Sequence, residues 1–513
     1  MRRGFEALAS RPWASALVVA LLPFSIGLGY LAVHGTPQPI VHDEFSNLLA
    51  ADTFAHGRLT NPPHAFSRQF QNVNELVQPT YMSKYPPGQG LFLALGQILT
   101  GRPLIGAIIC VALAAAAIYW MLLAFLPAGW ALFGGLLAGT HPLLILWLTN
   151  YWGGGVALLG GALFLGAWKR LLESATARNG ALLGVGLAVL ANSRPMEGFL
   201  FSTPLLAWLA WKSRPRAAAL AALLGVLVPV GAWMALYNFR VTGNPLTMPY
   251  MLYEKTYNPS PLFIWQSGLR EVPDPGIPEI HDLWFGWNLD GYTRHRTPAG
   301  FCKAMAGKLW DFDEAWLEPL PIKVFLALPF FGLCGASLLW LGLAGAAASA
   351  VVFTLLFYFP HYSAPVGGLF FLLVIAGMRR AWAWRWRGRP LGALSVAVTA
   401  AWCLGRTVLF AGKKMESPHA AWSYFRAEAL EKMESMGGRH LVLVRYGPGA
   451  SYHDDWVTNG ADIDGSQVVW AWSVSPDEDR KLEDYFAGRA VWTLDVIPPR
   501  PVFKPVSAEK ARR

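Results

Sequence analysis

Charge is scarce in this chain: Asp, Glu, Lys and Arg make up 14% of 513 residues, where a soluble protein carries roughly 25%. Hydrophobic residues reach 54% and mean hydropathy is +0.34. The apolar residues gather into stretches of about 14 to 23 residues free of charge, which excludes a single soluble core and an ordinary cytosolic enzyme. Cysteine is equally sparse. Cys110, Cys302, Cys334 and Cys403 lie far apart, three of them in apolar stretches, with no CxxC pair, so neither a disulfide framework nor a thiolate zinc site is indicated. The chain also lacks a Walker-type glycine loop, an HExxH pair and a GxSxG turn, which removes the reactions those motifs serve. No fixed-period repeat, internal symmetry or low-complexity segment is visible.

What is present reads as a polytopic α-helical membrane protein. Uncharged stretches run over 13–33, 103–125, 129–148, 156–168, 180–193, 198–211, 217–237, 324–340, 343–359, 364–378 and 390–405, about eleven candidate transmembrane helices. The first follows Met-Arg-Arg and is long enough to span, so it reads as an uncleaved anchor. Lys plus Arg number 42 against 32 Asp plus Glu, a net charge of +10. In a membrane chain that excess marks cytoplasmic loops and not a nucleic-acid partner. The basic clusters are Arg2/Arg3/Arg11, Lys169/Arg170/Arg178, Lys212/Arg214/Arg216 and the run from Arg379 to Arg389. All four share one side only if 88–100 does not cross. As a helix that piece is roughly 20 Å long, too short for a hydrocarbon core of about 30 Å, and it is expected to lie along the interface.

This counting predicts a cytoplasmic N-terminus and an opposite face that holds the first loop, 34–102, the large loop, 238–323, the turns at 150–155, 192–197 and 360–362, and the tail. Residues 1–411 form the transmembrane domain and 412–513 a small external α/β domain. In that tail, strand-like runs (Leu441 to Arg445, Val468 to Trp472, Val491 to Val496) alternate with helical ones (Trp422 to Met436, Asp477 to Phe486), an α/β pattern.

Nearly all carboxylates and histidines then sit on one face. Apolar residues at 45, 48, 49 and 54 predict an amphipathic surface helix opened by Asp43-Glu44 and stopped by Gly57. The acidic pair reads either as a cap and dipole partner of that helix, or as a general base able to take a proton from a bound hydroxyl. Arg58 and Lys84 are cations at headgroup depth, interfacial anchors or anion ligands. Arg194 and Glu197 flank Pro195-Met196 in a hairpin that an ion pair would lock, and His361-Tyr362 closes the set. Asp43, Lys84, Arg194 and His361 come from four segments at one depth, a carboxylate among three phosphate-binding groups. No cofactor is indicated with certainty. A divalent cation stays open through His42 with Asp43, or His453 with Asp454 and Asp455, both thin ligand sets, and no metal-binding residue is assigned.

At these residues the chain resembles the bacterial branch of the GT-C membrane glycosyltransferases, the group of the protein mannosyltransferases, aminoarabinose transferases and lipid A core glycosyltransferases. The matches are Asp43-Glu44 after the first span, Tyr85-Pro86-Pro87 before an interfacial helix, Arg194-Pro195-Met196-Glu197, the stretch Tyr237 to Leu246, and His361 to Pro365. The resemblance covers residues 1–411. It implies a catalytic acid in the first loop, by position Asp43 with Glu44 second; the residues read here as substrate-binding are Arg58, Lys84, Tyr85, Arg194, Glu197, His361 and Tyr362. It implies an inverting displacement on a polyprenyl-phosphate-linked sugar at the periplasmic face of the bacterial inner membrane, with an envelope lipid, glycan or protein as acceptor. Trp152, Trp284 and Trp287 could stack on sugar rings. The group's second acidic residue is missing, since the next outer turn reads Asn150-Tyr151-Trp152, and this leaves the acceptor class open. The alternative is a transporter or a flippase for a lipid-linked glycan. It accords less well with spans free of charge and without repeats.

Overall fold

The structure, a computed structural model, describes residues 2–212, 216–411, 421–498 and 500–506. A short α1, Arg2–Ala9, leads into α2, Pro12–His34, where Pro12 occupies a first-turn position whose missing N–H breaks no helical bond. The first loop holds α3, His42–Ala55, a hairpin of β1, Glu75–Leu76, with β2, Met82–Ser83, and then α4, Gly88–Thr100. Next come α5, Pro103–Leu122, α6, Ala128–Gly139, α7, Pro142–Leu148, α8, Gly155–Glu173, α9, Ala177–Ala191, α10, Pro195–Lys212, and α11, Ala217–Thr242. The large loop folds into α12, Pro249–Tyr257, α13, Pro278–His281, a π-helical stretch Asp282–Asn288, α14, Leu289–His295, and α15, Pro298–Phe312. A second π-helical stretch, Asp313–Leu317, precedes α16, Leu320–Phe330, and α17, Ala336–Val352. A 3-10 turn, Pro360–Val366, opens α18, Gly367–Trp382, and α19, Leu391–Ala411, ends the bundle.

A helix stands at each of the eleven uncharged stretches. Among the described residues, six helical segments are long and apolar enough to cross a bilayer, seven if α6 and α7, bent by 53°, make one span. Helix length therefore does not establish eleven crossings. On α11 the side chains of Leu220, Leu224 and Val228 are exposed, as an apolar helix surface is where it meets lipid. Two stretches shift from their expected places. The runs expected at 324–340 and 343–359 are α16 and α17, separated by a break at 331–335 where Gly332 and Gly335 take φ of 71° and 100°, a region open to glycine. Of the expected basic loop at Lys212/Arg214/Arg216, Arg214 lies outside the described residues, as does the stretch 412–420 at the start of the expected tail domain.

Close helix contacts rest on glycine. A Cβ on Gly106 of α5 would stand 1.7 Å from the Phe92 carbonyl oxygen of α4, and one on Gly161 of α8 would stand 2.0 Å from that of Pro365. Small residues let these backbones touch, and the second contact seats the turn carrying His361 and Tyr362 against α8.

The tail is a four-stranded sheet with α20, Ala421–Ser435, and α21, Pro476–Tyr485. Its strands are β3, His440–Tyr446, β4, Val468–Trp472, β5, Ala490–Val496, and β6, Val502–Pro505, in the order β4-β3-β5-β6, with only β6 antiparallel to its neighbour. It shares one hydrophobic core with both loops: Phe45 and Val73, Tyr253 and Trp284, Trp422 and Trp470 belong to the same buried cluster. Trp472 donates Nε1–H to the Gln71 carbonyl at 2.8 Å, and Asp52 accepts the Ala461 N–H at 2.8 Å. For this reason α3 has no open polar face. Nine of its fourteen residues are buried, because the tail, the hairpin and α4 cover the side that periodicity alone leaves to solvent.

Candidate active site

The first turn of α3 carries the acidic pair, but neither carboxylate caps it: the N-cap is Val41, in extended conformation, with no side-chain bond to the helix. Glu44 is buried, and both of its oxygens are taken. Oε2 accepts the Ile40 N–H at 2.7 Å and Oε1 the Tyr151 N–H at 2.9 Å. Tyr151 in turn donates its hydroxyl to the Pro37 carbonyl at 3.0 Å, and its own carbonyl accepts from Asn47 and Gln89, each at 3.2 Å. Glu44 is thus the strut joining α3 to the 150–155 turn. Burial, opposed by these amides, pushes its carboxyl up to about 7.

Asp43 faces elsewhere. Its Oδ1 accepts the hydroxyl of Tyr85, the residue that precedes the two prolines and α4. Tyr85 is set by β2, since Ser83 Oγ accepts its N–H at 3.2 Å and lies 2.7 Å from Ser46 Oγ of α3. Three residues on, Gly88 donates its N–H to the Asn192 carbonyl at 2.7 Å, where a Cβ would stand 2.6 Å from that oxygen. That contact ties the Tyr-Pro-Pro-Gly segment to the hairpin of Arg194. Arg194 places its guanidinium 4.3 Å from the Tyr362 ring centre and 3.5 Å from Glu197 Oε1. Burial works against its charge, and Glu197 with the phenols of Tyr362, Tyr85 and Tyr250 outweighs it, so its pKa rises. The Tyr85 hydroxyl is held well above its ordinary value by burial first, then by Asp43, Tyr362 and Tyr250. Asp43, Tyr85, Arg194, Tyr250 and Tyr362 are each only partly buried, so the group borders accessible space.

Lys84 is engaged on the other side of Tyr85. Its Nζ pairs with Glu254 Oε1 at 3.1 Å, with both side chains buried, and stands 4.3 Å and 4.8 Å from the rings of Tyr253 and Tyr250. Sequence reading missed Tyr250, Tyr253 and Glu254. Their spacing at i, i+3 and i+4 on α12 puts them on one face and is the trace they leave in the sequence. His361 is buried among Trp152, Phe359 and Tyr362, with ring centres 4.7, 5.9 and 4.8 Å away, and its Nε2 has no hydrogen-bond partner. Arg58, on the turn after α3, makes no hydrogen bond to this set among the described residues, and its buried Nε has no partner. The structure therefore brings Asp43, Tyr85, Arg194, Glu197 and Tyr362 together with Lys84 and His361 beside them, sets Glu44 behind them, and leaves Arg58 apart.

Of the residues read as possible ligands of a divalent cation, His42 and Asp43 have other partners. His42 Nδ1 lies 3.1 Å from Asp455 Oδ2, Asp43 holds Tyr85, and no group of three or more His, Cys, Asp or Glu is arranged around a metal position among the described residues. Burial opposes the charge of His42, while Asp455, with Asp43 behind it, raises its pKa.

No protein-family model and no curated protein matches the chain. Several solved structures are similar to it. ArnT from Cupriavidus metallidurans bound to undecaprenyl phosphate is 13% identical with a TM-score of 0.47, over 94% of this chain and 92% of that one. The archaeal oligosaccharyltransferase AglB from Archaeoglobus fulgidus, in complex with an inhibitory peptide and a dolichol-phosphate, is 10% identical with a TM-score of 0.42, over 94% and 69%. In the apo form of the oligosaccharyltransferase from the same organism, at 10% identity and a TM-score of 0.42, 84% of this chain spans 62% of the other's length.

Proposed function

We propose that this protein transfers a sugar from a polyprenyl-phosphate-linked donor to a hydroxyl of a cell-envelope acceptor, at the periplasmic face of the bacterial inner membrane. The observation that carries this reading is the convergence of a carboxylate and a guanidinium on one set of phenols: Asp43 on Tyr85, and Arg194 on Tyr362. Asp43 takes the proton of the acceptor hydroxyl while its oxygen attacks the anomeric carbon. The bond from that carbon to the phosphate oxygen breaks, and the electron pair leaves with the phosphate. Arg194 meets the charge that develops there, with Lys84 and the unpartnered Nε2 of His361 beside it. Glu44, whose oxygens accept the N–H groups of Ile40 and Tyr151, braces the neighbouring loop in this reading, and the transfer is a single displacement that inverts the anomeric centre.

The test is mass spectrometry of envelope glycolipids and glycoproteins from the source cell lacking this gene, complemented with wild type or with Asp43→Asn. The expected outcome is one sugar increment restored by wild type only, with both forms equally abundant in the membrane and a rate loss of about 10²-fold or more in the variant. Equal rescue by both forms removes Asp43 as the base. A glycan profile unchanged by the deletion turns the assignment to an export component.

A further inference from the structure

A cleft of about 640 Å³ opens where the large loop meets the tail, lined by Asp282, Trp287, Asp290, Thr293, Arg294 and Tyr452 among others. Its size lies within the roughly 300–1,000 Å³ of small-ligand sites. Trp287 is fixed within it: one face lies parallel on Phe357, with ring centres 4.1 Å apart, and its ring meets His453 edge-on at 5.4 Å. Thr293 Oγ1 and Arg294 Nε both donate to the Asp290 carbonyl at 3.1 Å. These bonds hold the α14 wall while the exposed carboxylates of Asp282 and Asp290 make no hydrogen bond among the described residues. The floor is thus an immobilised aromatic surface, and the rim offers carboxylate acceptors and guanidinium donors.

A pyranose matches that chemistry, with an apolar C–H face for the indole and paired hydroxyls for a carboxylate or a guanidinium. A lipid tail matches it less well, because two carboxylates, a guanidinium and a hydroxyl share the lining with the two aromatics. Beside the cleft, Tyr452 touches His453 with ring centres 4.5 Å apart, and His453 lies 6.3 Å from His42, the chain neighbour of Asp43.

We infer that this cleft between the large loop and the tail binds the saccharide of the acceptor, laid across Trp287, so that the acceptor is a glycan or glycolipid and not a polypeptide. The role as acceptor site rests on the transfer reading above, whereas saccharide binding does not.

The full chain in phosphatidylethanolamine/phosphatidylglycerol nanodiscs, probed by saturation-transfer NMR, tests it. The probes are neutral di- to tetrasaccharides of glucose, galactose and N-acetylglucosamine, with a mixture of short peptides as comparison. The expected result is transfer to saccharides and not to peptides, weakened about tenfold or more in Trp287→Ala and also weakened in Asp290→Asn, an exposed position where misfolding is not at issue. Binding of undecaprenyl phosphate stays unchanged in both variants. Asp43→Asn keeps saccharide binding, so failure of the transfer reading shows as unaltered transfer in that variant and leaves this result standing. Transfer to peptides alone, no transfer to any probe, or equal saccharide binding in wild type and both variants overturns the inference.

Discussion

The hydroxyl of Tyr85 donates its hydrogen bond to Oδ1 of Asp43, leaving Oδ2 to receive a proton. A hydrogen bond to a charged group is worth about 1.5–3 kcal/mol. That bond fixes the carboxylate's rotamer, and orientation matters here because a misplacement of about 1 Å costs on the order of 10²-fold in rate. Tyr85→Phe keeps the ring against Tyr250 and Lys84, and it is expected to lower kcat about tenfold while the donor KM stays within twofold. Steady-state kinetics in detergent with a polyprenyl-phosphate sugar reads both. An unchanged kcat would show that Tyr85 does not position Asp43.

Lys84 and Glu254 make a second prediction. The pair is buried, 3.1 Å apart, with Asn258 donating to Glu254 at 2.6 Å. Removing one partner strands a charge in a low-dielectric setting at a cost of about 3–5 kcal/mol, whereas removing both is far milder. Lys84→Met should therefore lower the thermal midpoint sharply, and Lys84→Met with Glu254→Gln should recover most of it. The double variant then isolates the substrate role. If Lys84 serves the donor phosphate, the refolded protein binds undecaprenyl phosphate about tenfold more weakly. If affinity is unchanged, the lysine only neutralises Glu254.

Glu44 gives the pH dependence. Its carboxyl is raised from 4.5 to about 7, chiefly by burial, so between those values the folded chain holds a proton that the unfolded chain has lost. Stability then falls as pH rises through that window and levels off above it. The thermal midpoint of the wild type should drop by a few degrees from pH 5 to pH 8. Glu44→Gln should flatten that slope, at a cost of about 1–3 kcal/mol because one of the two backbone N–H groups loses its acceptor. A slope equal in both proteins would assign the pH dependence to another group, with the His42–Asp455 pair the first to test.

Local pattern reached a good part of this architecture. The strand run Leu441 to Arg445 lies within β3, and the helical run Trp422 to Met436 differs from α20 by one residue at each end, because alternation and helical period are properties of neighbouring residues. β6 escaped notice since four residues ending in Pro505 carry no alternation, and a proline is tolerated there only because the strand is an edge. The partnerships of the site are of another kind. Lys84 meets Glu254 across 170 positions and Glu44 meets Tyr151 across 107. No window of sequence encodes which buried carboxylate braces a loop and which faces an opening, so Asp43 and Glu44 read alike until their partners are known.

Arg194 separates geometry from charge. Its guanidinium lies over the Tyr362 ring at 4.3 Å with Glu197 at 3.5 Å, a planar group set against an aromatic face and steadied by a carboxylate. Lysine keeps the positive charge but offers neither a flat stacking surface nor a two-pronged donor. If Arg194 meets the departing phosphate with two parallel N–H bonds, those bonds strengthen as charge develops. Arg194→Lys should then lower kcat about tenfold or more, with a smaller rise in donor KM. A residue that merely locked its hairpin to Glu197 would behave otherwise, since lysine can still pair with that carboxylate, and kcat would hold while only the thermal midpoint moved. Measuring kcat, KM and the midpoint on one preparation distinguishes the two roles, and a loss confined to the midpoint would return Arg194 to structure.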